Sequence, residues 1–163
     1  TLFRSQQRGK SIDPGVPVEQ MLLIVCGAHL RAERMDRPLA YDLADAVSAW
    51  FEQRRDQDIA QIEPIVCSDI WYVNDHDLQR RPTVSIGGPG VNALSAYYSQ
   101  HLPAVTVEPE QGAIQLDEEH VDLRVSIWGQ DHASTRKAVQ RFISKHLDAY
   151  LKAVVTQVEP LTE

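Results

Sequence analysis

Long apolar runs are missing from this sequence. The longest, Met21 to Cys26, falls far short of the ~20 residues that a bilayer-spanning helix needs. The first residues also lack the apolar core of a signal peptide. Basic charge is scarce: 16 Lys and Arg against 23 Asp and Glu leave a formal net charge of -7 and a pI near 5.3. That balance argues against a general nucleic-acid or anionic-membrane binder, which needs a basic face to neutralise phosphates. Cysteine is reduced to Cys26 and Cys67, each near the end of an apolar strand-like run, where the residue usually serves as a small buried hydrophobe. A disulfide between them is allowed but not implied. From these absences we expect a soluble, cytoplasmic protein without nucleic-acid or membrane partners, whether or not a segment was removed before Thr1.

Enough apolar material remains, 43% of 163 residues, to fill one core, so a single domain over 18–163 is expected. Thr1 to Pro17 is polar, carries Arg4, Arg8 and Lys10, and is broken by Pro14, Gly15 and Pro17, the composition of a flexible N-terminal arm. Met21–Cys26, unbroken and ending at Gly27, predicts a central strand covered on both faces. Pro38 suits the first turn of a helix, and Leu39, Leu43, Ala46, Val47, Trp50 and Phe51 continue it as one stripe toward Arg55. Ile65–Cys67 and Ile70–Val73 predict a second strand region interrupted at Ser68-Asp69. Thr83–Ile86 predicts a third strand, followed by a helix from Asn92 to His101 with Asn92 as its cap and Leu94, Tyr97, Tyr98 and Leu102 inward.

Val105–Val107 and Ala113–Leu116 alternate apolar and polar around Pro109 to Gly112, predicting a hairpin with one wet face. Val121, Leu123, Val125 and Ile127 predict another strand. Val139, Phe142, Ile143, His146, Leu147, Tyr150, Leu151 and Val154 predict one long helix from Ser134 to Thr156. The expected fold class is α/β: a single-domain, three-layer open mixed sheet, mostly parallel with a β-hairpin, helices on both faces, in a Rossmann-like arrangement.

In such sheets ligands bind beyond the carboxyl ends of the parallel strands. The loops to consider are Gly27–Arg37, Ser68–Asp77, Gly87–Asn92 and Gly129–Ser134. Gly87-Gly88-Pro89-Gly90-Val91-Asn92 joins a strand to a helix, where free amides and the helix dipole can hold an anion. It lacks the GxGxxG spacing of dinucleotide folds, and no Gly-Lys-Ser/Thr follows, so the alternative is a tight corner. Arg31, Arg34 and Arg37 either receive a ligand's carboxylate or phosphate or pair with Glu33, Asp36 or Asp69. Ser68-Asp69, Asn74 to Asp77, His29 and Asp131-His132 have the residue types of a metal or acid–base site. No HxxxH, HExxH or CxxC spacing supports one, and turns and caps account for them as well. Neither a metal nor a cofactor is implied. Ser68 and Ser95 lack a GxSxG elbow, and nothing lowers the pKa of Cys26. Trp128, on the nominally polar side of its strand, signals a partner surface or a second packed layer.

The stretches VSIGGPGVNALSAYY and LRVSIWGQDHASTRKAVQRFI, covering about the second half of the chain, resemble the strand, Gly-Gly-Pro turn and helix units of archaeal surface-layer protein domains. The resemblance implies α/β building modules of a surface assembly, and so a structural or interaction role.

These readings converge on a noncatalytic α/β ligand-binding or interaction module of a homo-oligomer, whose strand-end crevice binds a small anionic ligand or a partner's acidic group. Gly88, Gly90, Val91 and Asn92 supply backbone donors, Arg31 and Arg34 charge, and Asp69, Asn74 and Asp131 polar walls. One alternative is a hydrolase or transferase acting on a phosphorylated small molecule, with Asp69 as base and His29 or His76 as the second proton carrier. The other is a purely structural self-assembly domain.

Overall fold

A strand without polar positions must be covered on both sides, and Met21–Cys26 (β1) is buried along its whole length in the computed structural model, which describes residues 15–108 and 112–157. Five further strands complete one sheet: Glu63–Ser68 (β2), Thr83–Ile86 (β3), Ala104–Glu108 (β4), Gly112–Leu116 (β5) and Arg124–Trp128 (β6). Their order is β2-β1-β3-β6-β5-β4. The first four neighbours are parallel, and β5 runs against both β6 and β4. The result is the expected mostly parallel, open mixed sheet with a hairpin at one edge, and β1 lies inside it without being central.

Two cores lie on opposite faces. Leu22 and Ile24 point to one, with Leu43, Phe142 and Tyr150; Leu23 and Val25 point to the other, with Tyr72, Leu94 and Tyr98. The first face carries the long helices Leu30–Glu52 (α1), His132–Lys145 (α4) and Leu147–Gln157 (α5). The second carries the short Asp69–Val73 (α2) and Ala93–Tyr98 (α3). This gives the expected three layers with helices on both faces.

Several boundaries differ from the sequence expectation. Helix α1 begins at Leu30, so most of the expected loop Gly27–Arg37 is helical and Pro38 lies inside the helix. The buried stripe already starts at Ala32 and passes through Asp36 before Leu39, and that polar member hid its continuity. Arg37 clasps Glu33 one turn earlier at 2.9 and 3.0 Å. Pro38 and Arg34 are both exposed, so the carbonyl left without a donor by proline faces water. Ile70–Val73 is helix rather than strand, because Ser68 accepts from the Trp71 amide at 3.2 Å and starts a turn.

Tyr97 points outward, 52% exposed, and stacks on His101. Strand β5 is buried on both faces rather than wet on one. Val121 lies outside β6 and is 73% exposed. The expected final helix is two, α4 and α5, broken at His146, whose φ of -123° leaves the helical range. Cys67 pairs in register with Val25, and Cys26 with Ser68, so the two side chains point to opposite faces and both thiols are free. Most of the arm expected over Thr1–Pro17 lies outside the described residues; at its end Val16, with Val18 just beyond, packs on the short-helix core.

Candidate functional site at the strand ends

Helix α1 leaves β1 over one face and α3 leaves β3 over the other, so these neighbouring strands send their chains to opposite sides. Such a divergence opens a crevice in doubly wound sheets. Here the chain itself fills it. The Gly88–Asn92 turn folds back over β1 so closely that a Cβ on Gly27 would stand 1.8 Å from the Val91 carbonyl oxygen.

The turn consumes most of its own donors. The Val91 and Asn92 amides both donate to the Gly88 carbonyl at 3.1 Å, and the Gly87 amide donates to Ile127 of β6 at 3.0 Å. At the start of α3, the Leu94 and Ser95 amides donate to Asn92 Oδ1 at 3.0 and 3.2 Å. The Ala93 amide donates to Asp69 Oδ2 at 2.9 Å. An internal carboxylate thus occupies the place that an anion would take at this helix end. Asp69 Oδ1 also accepts from the Ala28 and Ile70 amides at 3.0 and 2.8 Å. Asn92, 1% exposed, donates from Nδ2 to the Ile86 carbonyl and Ser85 Oγ at 3.0 Å and to the Val25 carbonyl at 3.3 Å. Both residues therefore tie loops together, and the glycine turn is first a seated corner.

The open cleft lies one strand further along, above the adjacent ends of β3 and β6, and has a volume of about 270 Å³. Gly88 to Val91 form one wall, Arg31, Met35 and Asp36 of α1 a second, and Trp128 to His132 with Thr135 a third. Trp128 is anchored by donating its indole N–H to Gln115 Oε1 at 3.2 Å, and its ring forms an apolar side. Asp131 caps α4: the Ser134 amide donates to it at 2.8 Å, and these Ser134 bonds hold its carboxyl below the usual range. Arg31 forms no side-chain ion pair among the described residues, in contrast to Arg37.

Asp36 is the member that sequence reasoning weighed only as an arginine partner. It is 7% exposed, yet no donor within the described residues bonds its carboxylate, and Oδ2 sits where a Cβ on Gly87 would come within 2.5 Å. Gly87 tolerates this with φ +109°, a conformation glycine adopts without strain. Burial pushes the Asp36 carboxyl up to about 6, with the charges of His132 and Arg31 pulling the other way. The available signal was an acidic residue on the buried stripe of a helix that follows a strand.

Of the residues singled out from sequence, Arg31, Gly88, Gly90, Val91 and Asp131 meet at this cleft. Asp69 and Asn92 lie outside its lining and tie the neighbouring loops together. Arg34 is exposed and outside the lining. His29 is exposed and caps α1 by accepting from the Arg31 amide at 3.2 Å. His76 is exposed, and Asn74 donates to the Ile70 carbonyl at 2.8 Å at the end of α2. Burial raises the Cys26 thiol to about 11 and also raises Cys67, so neither is a thiolate nucleophile at neutral pH. Among the described residues no group of three or more His, Cys, Asp or Glu could hold a metal, and no helix is long and apolar enough to cross a membrane. No protein-family model matches the chain, and no curated protein matches its sequence.

Proposed function

We propose that the protein is a noncatalytic α/β module that binds a small polar, anion-bearing ligand in the cleft above β3 and β6. The observation that carries this reading is the meeting of three segments distant in sequence around one hollow of about 270 Å³, with a buried carboxyl, a histidine and an arginine that has no ion-pair partner among the described residues in its walls. That volume sits near the small end of metabolite sites, which run ~300–1,000 Å³. Arg31 supplies the charge for an oxyanion, and Trp128 and Met35 supply apolar contact.

A thermal-shift screen against carboxylates, phosphorylated metabolites and nucleotides tests this directly. At a hundredfold excess over Kd a specific ligand contributes about 2.7 kcal/mol, which raises the Tm of a domain this size by roughly 5–10 °C. Gly90 lines the cleft, and a Cβ there meets nothing within 4 Å, so Gly90→Trp is expected to fold and to abolish the shift. A ligand that still binds this variant would place the site elsewhere. A hit that is turned over would instead favour a hydrolase or transferase, with Asp36 rather than Asp69 exchanging protons.

Self-assembly, as the likeness to surface-layer domains implies, is the second reading. It is favoured by the exposed Val73 and Tyr97 lining a hollow of about 410 Å³ on the short-helix side, with Ile70 also exposed on α2. Light scattering that gives a defined oligomer, together with a screen without hits, would support it over the first.

A further inference from the structure

Resting on the reading of the cleft as a ligand site, we propose that its ligand is a small zwitterion of the amino-acid type, whose ammonium meets Asp36 and whose carboxylate meets Arg31.

Asp36 carries the first half of this assignment. A buried carboxylate normally has hydrogen-bond donors, because leaving it bare costs more than most folds recover elsewhere. Asp69, 6% exposed, has three backbone amides. Asp36 is as deeply placed and has none among the described residues, while opening onto the cleft. A ligand ammonium would provide the missing donors together with a compensating charge, the combination that makes a buried ionic contact favourable.

Arg31 carries the second half. It lies on the same wall, close enough for its charge to act on Asp36, and it too is without an ion-pair partner among the described residues. Its guanidinium fork matches a carboxylate. A simple dianion would meet Arg31 and His132 but would also face the Asp36 and Asp131 carboxylates across the cleft. A simple cation would leave Arg31 unanswered. Only a ligand with both charges satisfies both side chains.

Calorimetric titration of the full chain with the proteinogenic α-amino acids, and of the best binder's des-amino acid and decarboxylated amine, reads the assignment. The amino acid is expected to bind about tenfold or more tighter than either truncated form, since each removes one charge-assisted contact. Asp36→Asn should weaken the amino acid about ten- to hundredfold and leave the des-amino acid within about threefold. Arg31→Gln should weaken both carboxylates and spare the amine. The groups facing Asp36 are Arg31 from its own helix, His132 and Asp131 from the start of α4, and Cys26 at the end of β1. Affinity for the amino acid should therefore fall below about pH 6, with a shallower fall in Asp36→Asn, where that carboxyl is gone.

If no amino acid binds, if the des-amino acid binds as well as its parent, or if Asp36→Asn leaves the amino acid unaffected, the zwitterion assignment is overturned. The cleft as a ligand site stands apart from those outcomes: it fails if the wider screen yields no hit, or if binding of every hit survives Gly90→Trp.

Discussion

Asp69 holds three amides from three segments, those of Ala28, Ile70 and Ala93, and its replacement tests whether its carboxylate is a connector or a reagent. Hydrogen bonds to a charged acceptor are each worth ~1.5–3 kcal/mol, and losing a shared acceptor is not additive. Asp69→Ala is therefore expected to cost about 3–5 kcal/mol of stability, measured as a lower urea midpoint with an unchanged slope. A base with no structural duty would instead leave the midpoint within about 0.5 kcal/mol of the native value. Asp36 is the converse residue: about as little exposed, it opens onto the cleft and bonds no donor among the described residues.

The turn between β3 and α3 acts as a unit whose position is set by how closely it approaches β1. Gly27 and Gly90 lie on opposite sides of that contact. In Gly27→Ala the new Cβ would stand 1.8 Å from a backbone carbonyl oxygen, so the turn must lift, at about 3 kcal/mol or more. In Gly90→Ala the Cβ enters open space and its backbone needs no positive φ, so stability should stay within about 0.5 kcal/mol. Thermal unfolding of the pair checks this. Equal effects would mean that the turn does not rest on β1.

Across the whole molecule, pH acts on the two ends of the sheet in opposite directions. Asp36 has a carboxyl raised from 3.8 to about 6. The folded state then binds the proton more tightly than the unfolded chain, and the associated stability is present below about pH 4 and lost as pH rises through 6. His120 and His146 have lowered pKa values, chiefly from burial, and His120 Nδ1 is buried with no hydrogen-bond partner among the described residues. Their stability is present above about 6.5 and lost as pH falls. Asp36→Asn should stabilise the unliganded protein at pH 7 by ~1–2 kcal/mol, after discounting for the open side of the cleft, and by little at pH 4. The stability optimum should move toward neutral pH. Urea midpoints between pH 4 and 8 measure it, and an unchanged profile would mean that Asp36 titrates normally.

Much of the fold was legible because its signals are local. Met21–Cys26 declares itself as a strand by unbroken apolar side chains and Thr83–Ile86 by β-branched residues, each ending at glycine, and Asn92 and Asp131 declare helix starts within the next few residues. The start of α1 shifted because Pro38 and the Asp36 on its buried stripe argued against a helix there, whereas the break between α4 and α5 was hidden because His146 continues the apolar stripe. The site was half legible, since strand-end loops could be located by rule, and Arg31, Gly88 to Val91 and Asp131 do meet there. What the amino-acid order determined alone is most of the segments that form strands and helices, their caps and their buried faces. Only the tertiary structure decided which polar groups are spent and which are left free: Asp69 finds its amides 41 and 24 residues away, whereas Asp36 finds none among the described residues. That distinction depends on distances through space, and no spacing along the chain encodes it.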